Sequence, residues 1–195
     1  MGRAARAKIQ EVPTSDTPIK LDFGCGSHKR EGFAGVDRIA FDGVDHVMDV
    51  RTDKWPWADN SVAEAHAAHF IEHLTALERI KFANELYRIL VPGGQCSIIV
   101  PHWCSNRAYG DPTHQWPPVS EMWLCYLNQK WRDEQAPHTD AKHWKDGYSC
   151  NFDWTYGYGM RADLIVRNQD FQQFAFGNFK EAAQDMHATI AKPKT

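Results

Sequence analysis

One stretch constrains the fold more than any other: a strand-like run, a capped helix, a proline-glycine break and a second apolar strand in immediate succession. Thr75-Ala76-Leu77-Glu78 has the capping-box pattern, in which the threonine oxygen accepts from the backbone three residues on and the glutamate reaches back. Beyond it Leu77, Ile80, Leu86 and Leu90 recur near one helical face, with Lys81 and Arg88 left for water. Val91-Pro92-Gly93-Gly94 then stops the helix, because proline lacks the N–H that another turn needs and glycine supplies an exit turn. Residues 95–100 (QCSIIV) read as a buried strand. Residues 63–70 (AEAHAAHF) read as a weaker one, since alanine and histidine are poor strand formers. Strand, helix, strand at this spacing predicts a right-handed parallel crossover, and therefore an α/β protein.

The rest of the chain extends that pattern. Residues 19–23 (IKLDF) form a short buried strand that runs straight into Gly24-Cys25-Gly26. Residues 35–37 (GVD) and 45–50 (DHVMDV) supply a second and a third strand, and a turn-rich connection around Pro56 follows. After Pro101 the composition shifts to Trp, His, Tyr and Pro. Residues 119–131 have helical apolar spacing, residues 149–158 alternate as a two-faced strand, residues 168–185 read as helix, and residues 187–192 (HATIAK) as a closing strand. Residues 1–17 are small, charged and without periodicity, which predicts a mobile arm before a single domain over residues 18–195.

The glycine pair has a chemical purpose. Without side chains, Gly24 and Gly26 let the backbone turn sharply and come close to a ligand. Asp22, Asp37 and Asp49 stand at or beside the ends of the first three strands. Asp22 can face a cationic amine and Asp37 can accept from ribose hydroxyls, while Asp49 stands near an adenine amine. The stretch between Gly26 and Asp37 is too short for a full helix as well as a strand, and it lacks the third glycine of a dinucleotide site. That suits a nucleoside ligand without a diphosphate. Cys25 reads either as a nucleophile or as a small filler, and no matched His and Asn arrangement supports the first.

LDFGCGSHKREGFAGVD, HVMDV, PWADNSV, HFIEHL and ELYRILVPGG, in that order, resemble the class I S-adenosylmethionine-dependent methyltransferase family, in its group with a short first helix. The resemblance covers residues 19–101. It implies a Rossmann-like, mostly parallel sheet of about seven strands with helices on both faces and the cofactor over the strand ends. It also implies that Asp22, Gly24 and Gly26 line the methionine end, Asp37 the ribose, Asp49 and Val50 the adenine, and that His69 sits near the sulfonium. Cys25 and Arg38, adjacent to these positions, complete the expected S-adenosylmethionine set.

Methyl transfer needs an oriented acceptor and, for weakly acidic acceptors, a base. His69, with Glu72 and His73 after it, is one candidate group. The plainer reading of Glu72 and His73 is capping or pairing at the start of the next helix. His102, Asp111 and His114, after the fifth strand, are the other group, read as general bases and alternatively as a metal site; no metal is expected. The bland alternative is an Asx turn at Asp111 with His114 packed behind it. Tyr156 and Tyr158 are read as pocket-lining, and Phe152 and Trp154 as core.

The remaining composition narrows the function. Five cysteines without a Cys-x-x-Cys pair argue against a disulfide framework or zinc knuckle, and no apolar run has membrane-spanning length, so a cytoplasmic location is expected. A formal charge of −3 and the absence of an Asp/Asn-Pro-Pro-aromatic tetrad disfavour a duplex nucleic acid partner. A small hydroxyl- or amine-bearing metabolite, a sugar or a nucleotide derivative is the expected acceptor. The competing readings are a non-catalytic binding or assembly module with the same fold and a nicotinamide-dependent oxidoreductase.

Overall fold

The computed structural model describes residues 19–143 and 145–194; the arm expected over residues 1–17, and Trp144, lie outside the described residues. Seven strands make one sheet: β1 (Ile19–Phe23), β2 (Ala34–Asp37), β3 (Val44–Val47), β4 (Val62–Ala68), β5 (Leu90–Pro101), β6 (Asp153–Met160) and β7 (Ala183–Ala191). Their order is β3-β2-β1-β4-β5-β7-β6. The first five in that order pair in parallel, and β7 runs antiparallel between β5 and β6. This is the mostly parallel seven-stranded sheet that the resemblance implies. From β1 the chain steps outward through β2 to β3, then returns to continue on the other side with β4 and β5. The strand order therefore reverses between β1 and β4, and the crevice at their carboxyl ends is where an open α/β sheet holds its ligand.

The helices are α1 (Ala76–Ile89), α2 (Arg107–Gly110), α3 (Glu121–Tyr126), α4 (Gln129–Gln135), α5 (Asp140–His143), α6 (Ala162–Ile165) and α7 (Gln169–Asn178). A 3-10 turn (Ile71–His73) joins β4 to α1. The capping box of α1 is formed: the Thr75 N–H donates to Glu78 at 2.8 Å, and the Glu78 N–H donates to the Thr75 hydroxyl at 3.4 Å. The buried stripe, however, centres on Arg79, Phe82, Leu86 and Ile89, which turns Leu77 to the far side, where it is 58% exposed.

Val91-Pro92-Gly93-Gly94 lies inside β5 and does not end α1, which stops at Ile89. The four residues form an irregularity between the pairs Val62–Leu90 and Glu64–Gln95. Gly93 has φ +83° and donates to the Lys192 carbonyl at 2.8 Å.

Three later boundaries also differ from expectation. The helix expected over residues 119–131 is broken into α3 and α4, because Asn128 turns extended and its side chain caps Trp131. The strand expected from residue 149 starts at Asp153. Ahead of it, Arg132 takes the Cys150 carbonyl and Asn128 the Phe152 carbonyl, so those acceptors serve side chains and not a ladder. The helix expected over residues 168–185 ends at Asn178, and Ala183 onward joins the sheet between β5 and β6, where pairing on both edges overrides the helical leaning of alanine.

Candidate functional site

The glycine turn after β1 is fixed by what surrounds it. Gly24 has φ +67°, and a Cβ there would sit 2.5 Å from the Phe70 ring, so only glycine fits between this turn and the chain leaving β4. The Gly26 N–H donates to the Asp37 carboxylate at 3.0 Å, and the Ile39 N–H donates to its other oxygen at 2.9 Å. Asp37 thus holds the loop while each oxygen keeps a further lone pair.

Above this turn lies a cleft of about 490 Å³. Of the expected set, Gly24, Asp37, Arg38, Asp49, Val50 and His69 line it. Asp22, Cys25 and Gly26 do not. Asp22, 4% exposed, accepts from the Arg30 N–H at 2.8 Å and so braces the loop instead of facing a ligand. Burial, helped by the charges of Asp22 and Asp37, pushes the Cys25 thiol up to about 11, which suits a small filler and not a nucleophile.

Asp49 reaches the cleft as half of an ion pair. Arg51 donates to its two oxygens from Nε at 2.8 Å and Nη2 at 2.6 Å, and these bonds hold the carboxyl down to about 2. His69, just past β4, is in a left-handed conformation, φ +51°, with its N–H donated to the Ile99 carbonyl at 2.8 Å. Its Nδ1 lies 3.4 Å from Glu72 Oε1, and that carboxylate raises the imidazole above its ordinary pKa.

A second, more open cleft adjoins the first, and His69 and His73 line both. Asp111 and His114 line the second, together with Glu72. The loop carrying Asp111 and His114 is fastened to the 3-10 turn: the Gln115 N–H donates to the Glu72 carbonyl at 2.8 Å. Buried Arg79 donates to the carbonyls of Ile71, Gln115 and Pro117. Asp111 does form the Asx turn, accepting the Thr113 N–H at 2.8 Å and its hydroxyl at 2.7 Å. Its other oxygen is 3.9 Å from His114 Nε2. The His73 and His114 rings meet edge to face, 4.7 Å between centroids. Glu72 and His73 do not cap α1, a role Thr75 and Glu78 fill.

His102 is not part of either cleft. It is 2% exposed, its Nδ1 accepts from the Cys104 N–H at 3.3 Å, and its Nε2 donates to Glu121 at 2.8 Å. Tyr158 donates to the same Glu121 oxygen at 2.6 Å. Burial alone would push the Glu121 carboxyl up, but these bonds together outweigh it and hold the group down to about 2. The expected trio of His102, Asp111 and His114 is therefore not assembled, because His102 is a buried strut between the end of β5, α3 and β6. Tyr156 and Tyr158 also stand outside both clefts, whereas Phe152 is fully buried as expected.

Several cleft residues went unmarked in the sequence, Ile39, Phe41, Arg51 and Thr113 among them. Ile39 and Phe41 offer apolar surface beside Asp37 and are 49% and 42% exposed. Arg51 and Thr113 also line the main cleft. Two large apolar residues just past an acidic strand end were the available signal for the first pair.

No protein-family model matches the sequence, and no curated protein matches it. Solved structures do resemble it. A SAM-dependent methyltransferase from Archaeoglobus fulgidus is 18% identical, covers 91% of this chain and 87% of its own, and superposes with a TM-score of 0.60. A SAM-dependent methyltransferase from Methanosarcina mazei is 13% identical over 93% of this chain and 95% of its own, with a TM-score of 0.51. At such identities the likeness is one of fold, and the chain has the class I methyltransferase fold.

Proposed function

We propose that the chain is an S-adenosylmethionine-dependent methyltransferase acting on a small hydroxyl- or amine-bearing acceptor, such as a sugar or nucleotide derivative. The observation that carries this reading is the convergence of Gly24, Asp37 and Asp49, from the ends of three neighbouring strands, on one cleft at the point where the strand order reverses. The donor set fits an adenosyl group. Asp37 offers lone pairs to ribose hydroxyls, and the exposed faces of Ile39 and Phe41 can cover a purine. The volume lies in the range of clefts that enclose small ligands. Asp49, expected to meet the adenine amine directly, does so in this proposal beside Arg51 and through the oxygen capacity that pair leaves.

When bound, S-adenosylmethionine supplies an electrophilic methyl group on a sulfonium. The chain's own contribution is orientation. Gly24 allows close approach, His69 stands where the main cleft opens into the second, and His114 faces an acceptor placed in that second cleft. No helix of the described residues is long and apolar enough to cross a membrane.

The test is release of S-adenosylhomocysteine from labelled cofactor against a panel of hydroxyl and amine metabolites. Turnover with at least one acceptor is expected. Tight cofactor binding with no release from any member would instead support a non-catalytic module.

A further inference from the structure

We propose that Glu72, His73 and His114 form a binding site for one divalent transition-metal ion of the zinc class. Each offers one ligand atom, and the three atoms lie within 4.8 Å of one another. One carboxylate with two imidazoles is a donor set that selects imidazole-binding cations over magnesium or calcium. Three protein ligands also leave a coordination position open, as in catalytic zinc sites.

Glu72 gives an independent reason to place a cation here. The residue is 4% exposed, and neither carboxylate oxygen has a hydrogen-bond partner among the described residues. A buried carboxylate that accepts no hydrogen bond is costly, and folded proteins retain one where something else satisfies it. Its ion-pair partner, the half-exposed His69, stands 3.4 Å from Oε1 at Nδ1 and makes no well-aligned hydrogen bond to either oxygen.

The imidazoles are held with one nitrogen bare. His114 Nδ1 faces the Ala108 carbonyl at 3.3 Å, and a carbonyl can only accept, so Nδ1 carries the proton and Nε2 does not. His73 Nδ1 faces the Thr113 hydroxyl at 3.0 Å, and that hydroxyl gives its own proton to Asp111 at 2.7 Å. His73 Nδ1 must therefore donate, again leaving Nε2 as a lone pair. Backing of Nδ1–H by a carbonyl or a hydroxyl-carboxylate relay is how metal-binding histidines are oriented and their tautomer fixed. Asp111, expected to be a base, acquires here the role of a positioning residue.

Glu72 and His114 line the second cleft and His73 lines both, so an ion held by them would lie beside the place assigned to the acceptor. Binding of the ion stands apart from any methyl transfer. Its role as a seat for an acceptor oxygen rests on the reading of the preceding subsection.

The experiment is titration of tag-free, chelator-treated full-length chain with cobalt(II), followed by visible absorption, with zinc(II) as competitor. S-adenosylhomocysteine calorimetry on the same samples reports the cofactor site separately. One equivalent of cobalt per chain is expected, displaced by zinc. Affinity should fall at least about 100-fold in His114→Ala and Glu72→Gln, and about 10-fold in Thr113→Val, the usual cost of losing an outer partner. His138→Ala, an exposed histidine elsewhere, should match the wild type. Thr113→Val retains every proposed ligand, so it answers the question even if a ligand variant fails to fold. Substoichiometric binding, or a His114→Ala or Thr113→Val isotherm that superposes on the wild type, would overturn the proposal, whatever the calorimetry shows for the cofactor.

Discussion

Carboxylates at strand ends can serve a ligand or serve their own backbone, and this chain divides the two tasks among residues of one type. Asp22 is sealed under the glycine loop by the Arg30 N–H, Asp37 holds the loop yet faces the cleft, and Asp49 faces it as an ion pair with Arg51. Sequence position alone treats the three alike. What separates them is where the following residues fold back, which no single residue announces. Glu121 shows the same dependence on distant partners, since its donors come from the end of β5 and from β6. Its folded pKa, about 2, lies below the ordinary 4.5, so its stabilising contribution is present above about pH 4.5 and is lost as pH falls toward 2. Glu121→Gln is expected to lower stability near pH 7 by on the order of 1–3 kcal/mol, as for charge-assisted hydrogen bonds. The gap between variant and wild type should close between pH 4.5 and 2 in denaturant melts. Stability curves that remain parallel throughout that window would count against the network.

Among the elements, the segments that local chemistry dictates were legible. Ile19–Phe23 is a strand because an apolar run meets glycine, and α1 starts at a capping box that its sequence spells out. Legibility failed where the governing contact is remote: β5 continues through Val91-Pro92-Gly93-Gly94 because Lys192 pairs with it, and His102 turns inward because Glu121 waits there. The site's second wall has the same character. The loop bearing Asp111 and His114 is secured by Arg79, a buried cation spent on the carbonyls of Ile71, Gln115 and Pro117. Arg79→Met keeps the aliphatic stem but strands those acceptors, and it should cost about 2–4 kcal/mol while speeding hydrogen exchange at the Gln115 amide. A loss below about 0.5 kcal/mol with unchanged exchange would show that the loop needs no such clamp.

At the scale of the whole molecule, the order β3-β2-β1-β4-β5-β7-β6 converts a string of short motifs into one crevice. The motifs between residues 19 and 101 were readable in order, and so the fold followed from them, as did six of the nine residues expected around the cleft above the glycine turn. The second cleft was not readable, because it joins the 3-10 turn after β4 to a loop beyond β5 that only the folded sheet brings together. Its chemistry depends on side chains meeting across that junction.

Asp37, at the end of β2, is proposed to bind the ribose of an adenosyl cofactor in the cleft above the glycine turn. Isothermal titration of the wild-type chain and Asp37→Ala with S-adenosylhomocysteine, and of the wild type with NAD, tests it most directly. One site per chain is expected, weakened by about 1–3 kcal/mol in the variant, with weaker binding of NAD. Equal affinity of the two proteins for S-adenosylhomocysteine, or tighter binding of NAD, would contradict it.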